Sequence, residues 1–142
     1  MGVSVYLDVN VLVALFVNDT HNERTEKALA GQYDDLIVSN LSFAEFSSVI
    51  ARRVRTRDLL ASEARTAFSN FDIWCARHTR LTDVDSTDIA GATTLMRLLD
   101  FPLRTPDALH LSITRRIGCS LMTFDRAMAK VAPSLGIGVI KS

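Results

Sequence analysis

Five short apolar runs, at residues 3–7, 36–38, 81–84, 121–124 and 138–140, are rich in β-branched and long aliphatic side chains. They are too short for helices, and they read as buried strands covered on both faces. Between them the apolar residues recur every three or four positions: Phe43, Phe46, Val49, Ile50 and Val54 over 42–54, then Leu60, Ala64, Ala67, Phe68, Phe71, Trp74 and Cys75 over 58–78, then Ile89, Ala92, Leu95, Met96 and Leu99 over 86–99. Stripes of that spacing predict amphipathic helices, and 106–117 and 126–131 complete the alternation. Strands separated by helices demand right-handed crossovers and a parallel sheet. The expected architecture is one α/β domain over residues 1–142, a three-layer α/β/α sandwich with a mostly parallel central sheet of four or five strands.

A chain of 142 residues that is 48% apolar can fold without a disulfide or structural metal. Cys75 and Cys119 are far apart and form no C-x-x-C pair, which points to free thiols and a reducing, cytoplasmic setting. The 16 basic and 16 acidic side chains cancel, so no overall positive field gathers nucleic acid and a polyanion has to be met locally. Residues 11–17 are apolar, but that run is too short to cross a membrane and lacks a basic leader, so no membrane association is expected.

Of the 16 acids 12 are Asp, so the carboxylates are mostly short and stiff, suited to helix caps and to hard metal ions. In open α/β sheets ligands gather beyond the carboxyl ends of the strands. Asp8 directly follows the first strand and Asp125 follows Leu121-Met122-Thr123-Phe124, which assigns both to that edge. Glu45 falls three residues after Ser42 at the start of the 42–54 helix, and Asp107 follows Thr105-Pro106 at the start of another. All four are expected to face one hollow.

A purely structural reading stands beside this. Ser42-x-x-Glu45 is also a capping box, Thr105-Pro106-Asp107 reads as N-cap, N1 and N2, and Asp8 and Asp125 can cap the helices after them. Asp19-Thr20 and Asp85-Ser86 are helix starts of the same kind without any proposed chemistry. What favours a site is the set: clustered carboxylates repel, and they must share protons or hold a cation. Oxygen-only ligands that leave room for water suit Mg²⁺ or Mn²⁺ better than zinc. Asn10 and Thr123 can add neutral oxygens. Such an ion activates water and neutralises a phosphodiester in flight, so phosphoester hydrolysis is the implied reaction class.

The segments Tyr6-Leu7-Asp8-Val9-Asn10-Val11-Leu12, Ser42 to Glu45, Thr105-Pro106-Asp107-Ala108-Leu109-His110 and Thr123-Phe124-Asp125 resemble those of the PIN-domain nucleases, and more narrowly of VapC-type ribonuclease toxins. The likeness runs from the first strand to the last, with the acids in the family's order. The resemblance implies an endoribonuclease dependent on Mg²⁺ or Mn²⁺, held inactive by a small VapB-like antitoxin and usually homodimeric. By position Asp8, Glu45, Asp107 and Asp125 match the acidic quartet of the family. The expected roles are direct metal binding by Asp8 and Asp107, support of the metal by Asp125 directly or through water, and orientation or deprotonation of the attacking water by Glu45.

Other features weigh less. The run Arg52-Arg53-Val54-Arg55-Thr56-Arg57 fits a solvated helix end, with contact to RNA phosphates or an acidic partner segment as its functional reading, and Arg115-Arg116 is weighed alike. His110, one helical turn after Asp107, is expected to pack or hydrogen-bond in the core while lying within reach of the site. His21 and His78 have no partners at metal-ligand spacing. Two further functions compete: a phosphatase using Asp8 as nucleophile, which wants a second acid where Asn10 stands, and a noncatalytic interaction module whose acids only cap helices.

Overall fold

The computed structural model describes residues 3–17, 22–29, 33 and 35–140. Strands β1 (Ser4–Leu7), β2 (Asp35–Ser39), β3 (Thr79–Thr82) and β4 (Ser120–Met122) form one sheet in the order β3-β2-β1-β4, every pair parallel. The helices are α1 (Val9–Phe16), α2 (Asn22–Leu29), α3 (Asn40–Arg55), α4 (Ala61–His78), α5 (Ser86–Arg97), α6 (Thr105–Ile117) and α7 (Arg126–Val131), with a 3₁₀ turn at Ala132–Leu135. Three layers result, as expected. On one face Val5, Leu7 and Val38 join α1, α3 and α4 through Leu12, Phe46, Ile50, Phe71 and Cys75. On the other Tyr6, Ile37 and Leu121 meet α6 and α7 through Leu111, Ile113, Met128 and Val131. The two-residue alternation of β1, with Val5 and Leu7 on one side and Tyr6 on the other, decides which layer each side chain enters.

The structure departs from the sequence reading in three strands and at several helix starts. The third strand starts at Thr79, earlier than expected, and is not buried: it lies at the sheet edge with Arg80 and Leu81 exposed. The run at 138–140 makes a single bridge, Leu121 to Val139, beside β4, so the sheet has four named strands. β4 itself ends at Met122. The run at 11–17 belongs mostly to α1, buried over most of its surface because it lies between the sheet and neighbouring helices, with Leu15 and Phe16 half-buried. Asp85 caps α5 as expected, accepting from the Thr87 amide at 2.8 Å; Asp19-Thr20 and His21 lie outside the described residues.

Helices α5 and α6 pack closely. A Cβ on Gly91 would come within 2.5 Å of Ser112 Oγ, so a larger residue there forces the Ser112 side chain to turn away. The same pair is joined by Arg116, which donates to both oxygens of the buried Asp88 at 2.7 and 2.9 Å. Arg116 is therefore a structural cation. Arg116→Met strands a buried carboxylate, and because the guanidinium is itself partly solvated the expected loss is about 2 kcal/mol, below the cost for fully buried pairs. Urea unfolding measures it; Arg116→Met combined with Asp88→Leu is expected to recover most of the loss.

Candidate active site

The parallel winding places the N-termini of α1, α3 and α7 beyond the carboxyl ends of β1, β2 and β4. Helix α6 leads into β4 from the opposite edge, so its N-terminus also points to that side. Asp8 extends β1 by one rung, its amide donating to Met122 O at 3.0 Å. Its carboxylate is 6% exposed and accepts from Val9 N at 2.8 Å, Asn10 Nδ2 at 3.1 Å and Thr123 Oγ1 at 2.6 Å. Burial raises its pKa above the usual carboxylate range, and the neighbouring Glu45 adds to the rise, while His110 and the Thr123 hydroxyl oppose it. No Lys or Arg pairs with Asp8 among the described residues.

Thr123 connects Asp8 to Asp125, because its Oγ1 also accepts from the Asp125 amide at 3.0 Å. Asn10 closes the cluster: its Nδ2 donates to Asp8 and Thr123, and its Oδ1 accepts from the Phe124 amide. An amide donor thus stands where the aspartyl-phosphatase reading needs a second acid.

Glu45 is placed differently from the sequence reading. Ser42 does not cap α3. Ser39, the last residue of β2, accepts from the Ser42 amide at 3.1 Å, and Ser42 Oγ accepts from the Ser39 amide in return. The N-cap lies three residues earlier than expected, at Ser39 in place of Ser42, which puts Glu45 in the second turn with no capping duty. Its Oε1 meets His110 Nε2 at 2.5 Å, and no other hydrogen bond of Glu45 is found among the described residues. His110, 1% exposed, reaches the Tyr6 hydroxyl through Nδ1 at 2.6 Å. That hydroxyl lies 2.7 Å from Ser39 Oγ and 3.3 Å from Ser42 Oγ. His110 is buried and hydrogen-bonded as expected of a core histidine, and it touches the site as well. Sequence reasoning misses Tyr6 as a polar group; a tyrosine inside an otherwise apolar buried strand is the signal, since its hydroxyl needs a partner.

Asp107 occupies N3 of α6, with Arg104 as N-cap in place of the expected Thr105, and its Oδ2 accepts from the Arg104 amide at 3.2 Å. It sits one turn, about 4.5 Å of helix rise, from His110 toward the same edge. Asp125 caps α7 through the Ala127 and Met128 amides. Asp8, Asp107 and Asp125 each hold a helix start, then, and Glu45 does not. The structure couples Asp8, Glu45 and His110 electrostatically, but among the described residues no three His, Cys, Asp or Glu side chains close around one metal-sized point. The donor set still fits a hard cation in kind: all oxygen, anionic, with one carboxylate buried and paired with no Lys or Arg among the described residues. Mg²⁺ commonly takes one or two carboxylates and keeps several waters, so a closed protein cage is not required.

Over residues 5–133 the chain matches the PIN-domain family. It belongs to that family. Ribonuclease VapC46 of Mycobacterium tuberculosis is 31% identical to this PIN domain over 144 residues, covering 96% of each chain. Among solved structures, Mycobacterium tuberculosis VapC20, described as a Sarcin-Ricin loop cleaving toxin, superposes with a TM-score of 0.74 at 17% identity, over 89% of this chain and 94% of that one. FitAcB from Neisseria gonorrhoeae gives 0.75 at 15% identity over 96% of both chains. VapBC2 from Rickettsia felis, bound to a DNA fragment from its promoter, gives 0.67 at 15% identity over 96% of both. These structural likenesses speak for the PIN fold. Among the described residues no helix of this PIN domain is long and apolar enough to span a membrane.

Proposed function

We propose that the chain is a metal-dependent endoribonuclease, the toxin of a toxin–antitoxin pair. The observation that carries the reading is Asp8: a nearly buried carboxylate at the carboxyl edge of the sheet, within electrostatic reach of Glu45 and paired with no Lys or Arg among the described residues. The likeness to Ribonuclease VapC46 along almost the whole chain supports the choice of RNA as substrate. Asp8 and Asp107 would hold Mg²⁺ or Mn²⁺, with Asp125 supporting it directly or through water. When bound, the ion supplies an acidified water and neutralises charge on the phosphodiester. Asn10 and Thr123 keep the Asp8 carboxylate in one orientation. Glu45 orients or deprotonates the attacking water through the oxygen that His110 leaves unused. A VapB-like antitoxin is the proposed protein partner, and the active form is proposed to be a homodimer.

The test is cleavage of ribosomal RNA by the purified chain. Mn²⁺ or Mg²⁺ at millimolar concentration is expected to give discrete fragments, EDTA to stop cleavage, and re-addition of metal to restore it. Intact RNA with folded protein and metal present contradicts the proposal and favours a noncatalytic interaction module.

A further inference from the structure

We propose that His110 and Tyr6 are positioning residues for Glu45: the His110 ring fixes one oxygen of the carboxylate so that the other faces the reacting water, and the Tyr6 hydroxyl holds the ring in the tautomer that does so. The inference rests on the nuclease reading above and deepens it.

Hydrogen accounting sets the direction of the chain. A carboxylate only accepts, so the hydrogen between His110 Nε2 and Glu45 Oε1 belongs to Nε2. In a neutral imidazole Nδ1 is then the acceptor, and the group at Nδ1 is the Tyr6 hydroxyl, 2.6 Å away. With the ring neutral, Tyr6 donates to it, and its lone pairs face Ser39 Oγ and Ser42 Oγ, hydroxyls able to donate in turn. Donation runs from Ser39 through Tyr6 and His110 to Glu45, linking the junction of β2 and α3 to β1, then to α6, and back to α3.

Every member except the last is buried; the Glu45 side chain is 27% exposed. A network serving only to satisfy core polar atoms has no need to end at a partly open carboxylate. Ser42 occupies N3 of α3, so the helix start does not use Glu45. Glu45 has several side-chain torsions and would otherwise sample many positions, at a cost in entropy whenever it acts. Contact with a ring held on its other nitrogen removes that freedom before substrate arrives, as second-layer hydrogen bonds do for metal-bound histidines.

The full chain is tested in two arms. In the first, ¹⁵N NMR of labelled histidines at neutral pH, with the His110 signals assigned by their loss in His110→Gln, is expected to show a proton on Nε2 and none on Nδ1. Glu45→Gln is expected to move the Nε2–H resonance. A proton on Nδ1, or no response to Glu45→Gln, overturns the proposal. The second arm uses a ribosomal RNA fragment that the wild-type chain cleaves with Mn²⁺. His110→Phe is expected to lower kcat about 30-fold, less than the roughly 100- to 10,000-fold that a positioned general base contributes because Glu45 itself remains, with KM changed less than about threefold. The melting temperature is expected to move little, since Tyr6 keeps its serine partners and Glu45 keeps water. His110→Gln, with an amide able to reach Glu45, is expected to recover about tenfold of that loss, and Tyr6→Phe to cost about tenfold in kcat. A His110→Phe enzyme of wild-type kcat, or a Gln variant no better than Phe, overturns the proposal. Should His110→Phe not fold, Tyr6→Phe decides the kinetic arm, and an unchanged kcat there overturns it. A wild-type chain that cleaves no RNA defeats the nuclease reading instead, and the NMR arm still decides this one.

Discussion

Asp8→Asn is expected to abolish metal-dependent RNA cleavage, by about three orders of magnitude or more, while leaving the fold intact. The size follows from what the carboxylate does: it is a buried anion at the sheet's carboxyl edge, and an amide of the same shape neither carries the charge nor binds a hard cation with comparable strength. The fold survives because the amide keeps an oxygen for Val9 N. At the other oxygen's position the new amide NH₂ meets Thr123 Oγ1 and Asn10 Nδ2, both donors to Asp8 in the wild type, a local cost set against the removal of a buried charge. Isothermal titration with Mn²⁺ is expected to lose its strongest event in the variant. Cleavage at the wild-type rate would remove Asp8 from the metal site.

The same substitution has a stability consequence opposite in sign. Burial lifts the Asp8 pKa above its ordinary value near 3.8. A carboxyl group with a raised folded pKa contributes stability fully below the unfolded pKa, and that contribution disappears as pH rises through the folded value. Metal-free wild-type protein is thus expected to be held back at neutral pH by a buried charge that the Asn variant lacks. The variant should melt at the same or a higher temperature at pH 7.5, and the advantage should shrink on acidification toward pH 4. Saturating Mn²⁺ should reverse the order at neutral pH, because only the wild type gains strongly from the ion.

The residues that were easiest to place from sequence are those whose duty is local. Asp8 follows β1 directly and Asp125 comes three residues after β4, and strand ends in a parallel sheet admit few positions. Asp85 precedes a helical stripe and caps it. Boundaries governed by partners were harder. Ser39 reads as the end of a strand, and only the fold reveals that it also caps α3, shifting the helix start and freeing Glu45. The edge strand β3 resembles a buried one until the sheet order is known. The chain from Ser39 through Tyr6 and His110 to Glu45 joins residues up to 104 positions apart, and no local pattern marks such a contact. Convergence of the four acids is the expectation on which the nuclease reading depends. The structure couples Asp8 with Glu45 and ties Asp125 to Asp8 through Thr123, while Asp107 remains bound to its own helix start.

Phe46→Ala is expected to cost about 4 kcal/mol, roughly twice the loss expected for Arg116→Met and in the range for emptying a buried phenylalanine site. Phe46 is fully buried, stacks on Phe71 with centroids 4.0 Å apart, and meets Phe16 and Phe68 edge-on. Three helices converge on it, so the cavity cannot collapse without moving α1, α3 or α4. With an m-value of about 2 kcal/mol/M the urea midpoint should fall by roughly 2 M. Because Phe46 follows Glu45 on α3, the same variant separates anchoring of the helix from positioning of the carboxylate. If His110 fixes Glu45 from the opposite layer, kcat at a temperature where the variant is still folded should fall by less than about tenfold, less than in His110→Phe. A kcat loss as large as that of His110→Phe, under folded conditions, would mean that packing of α3 itself aims the carboxylate and that the His110 contact merely follows it.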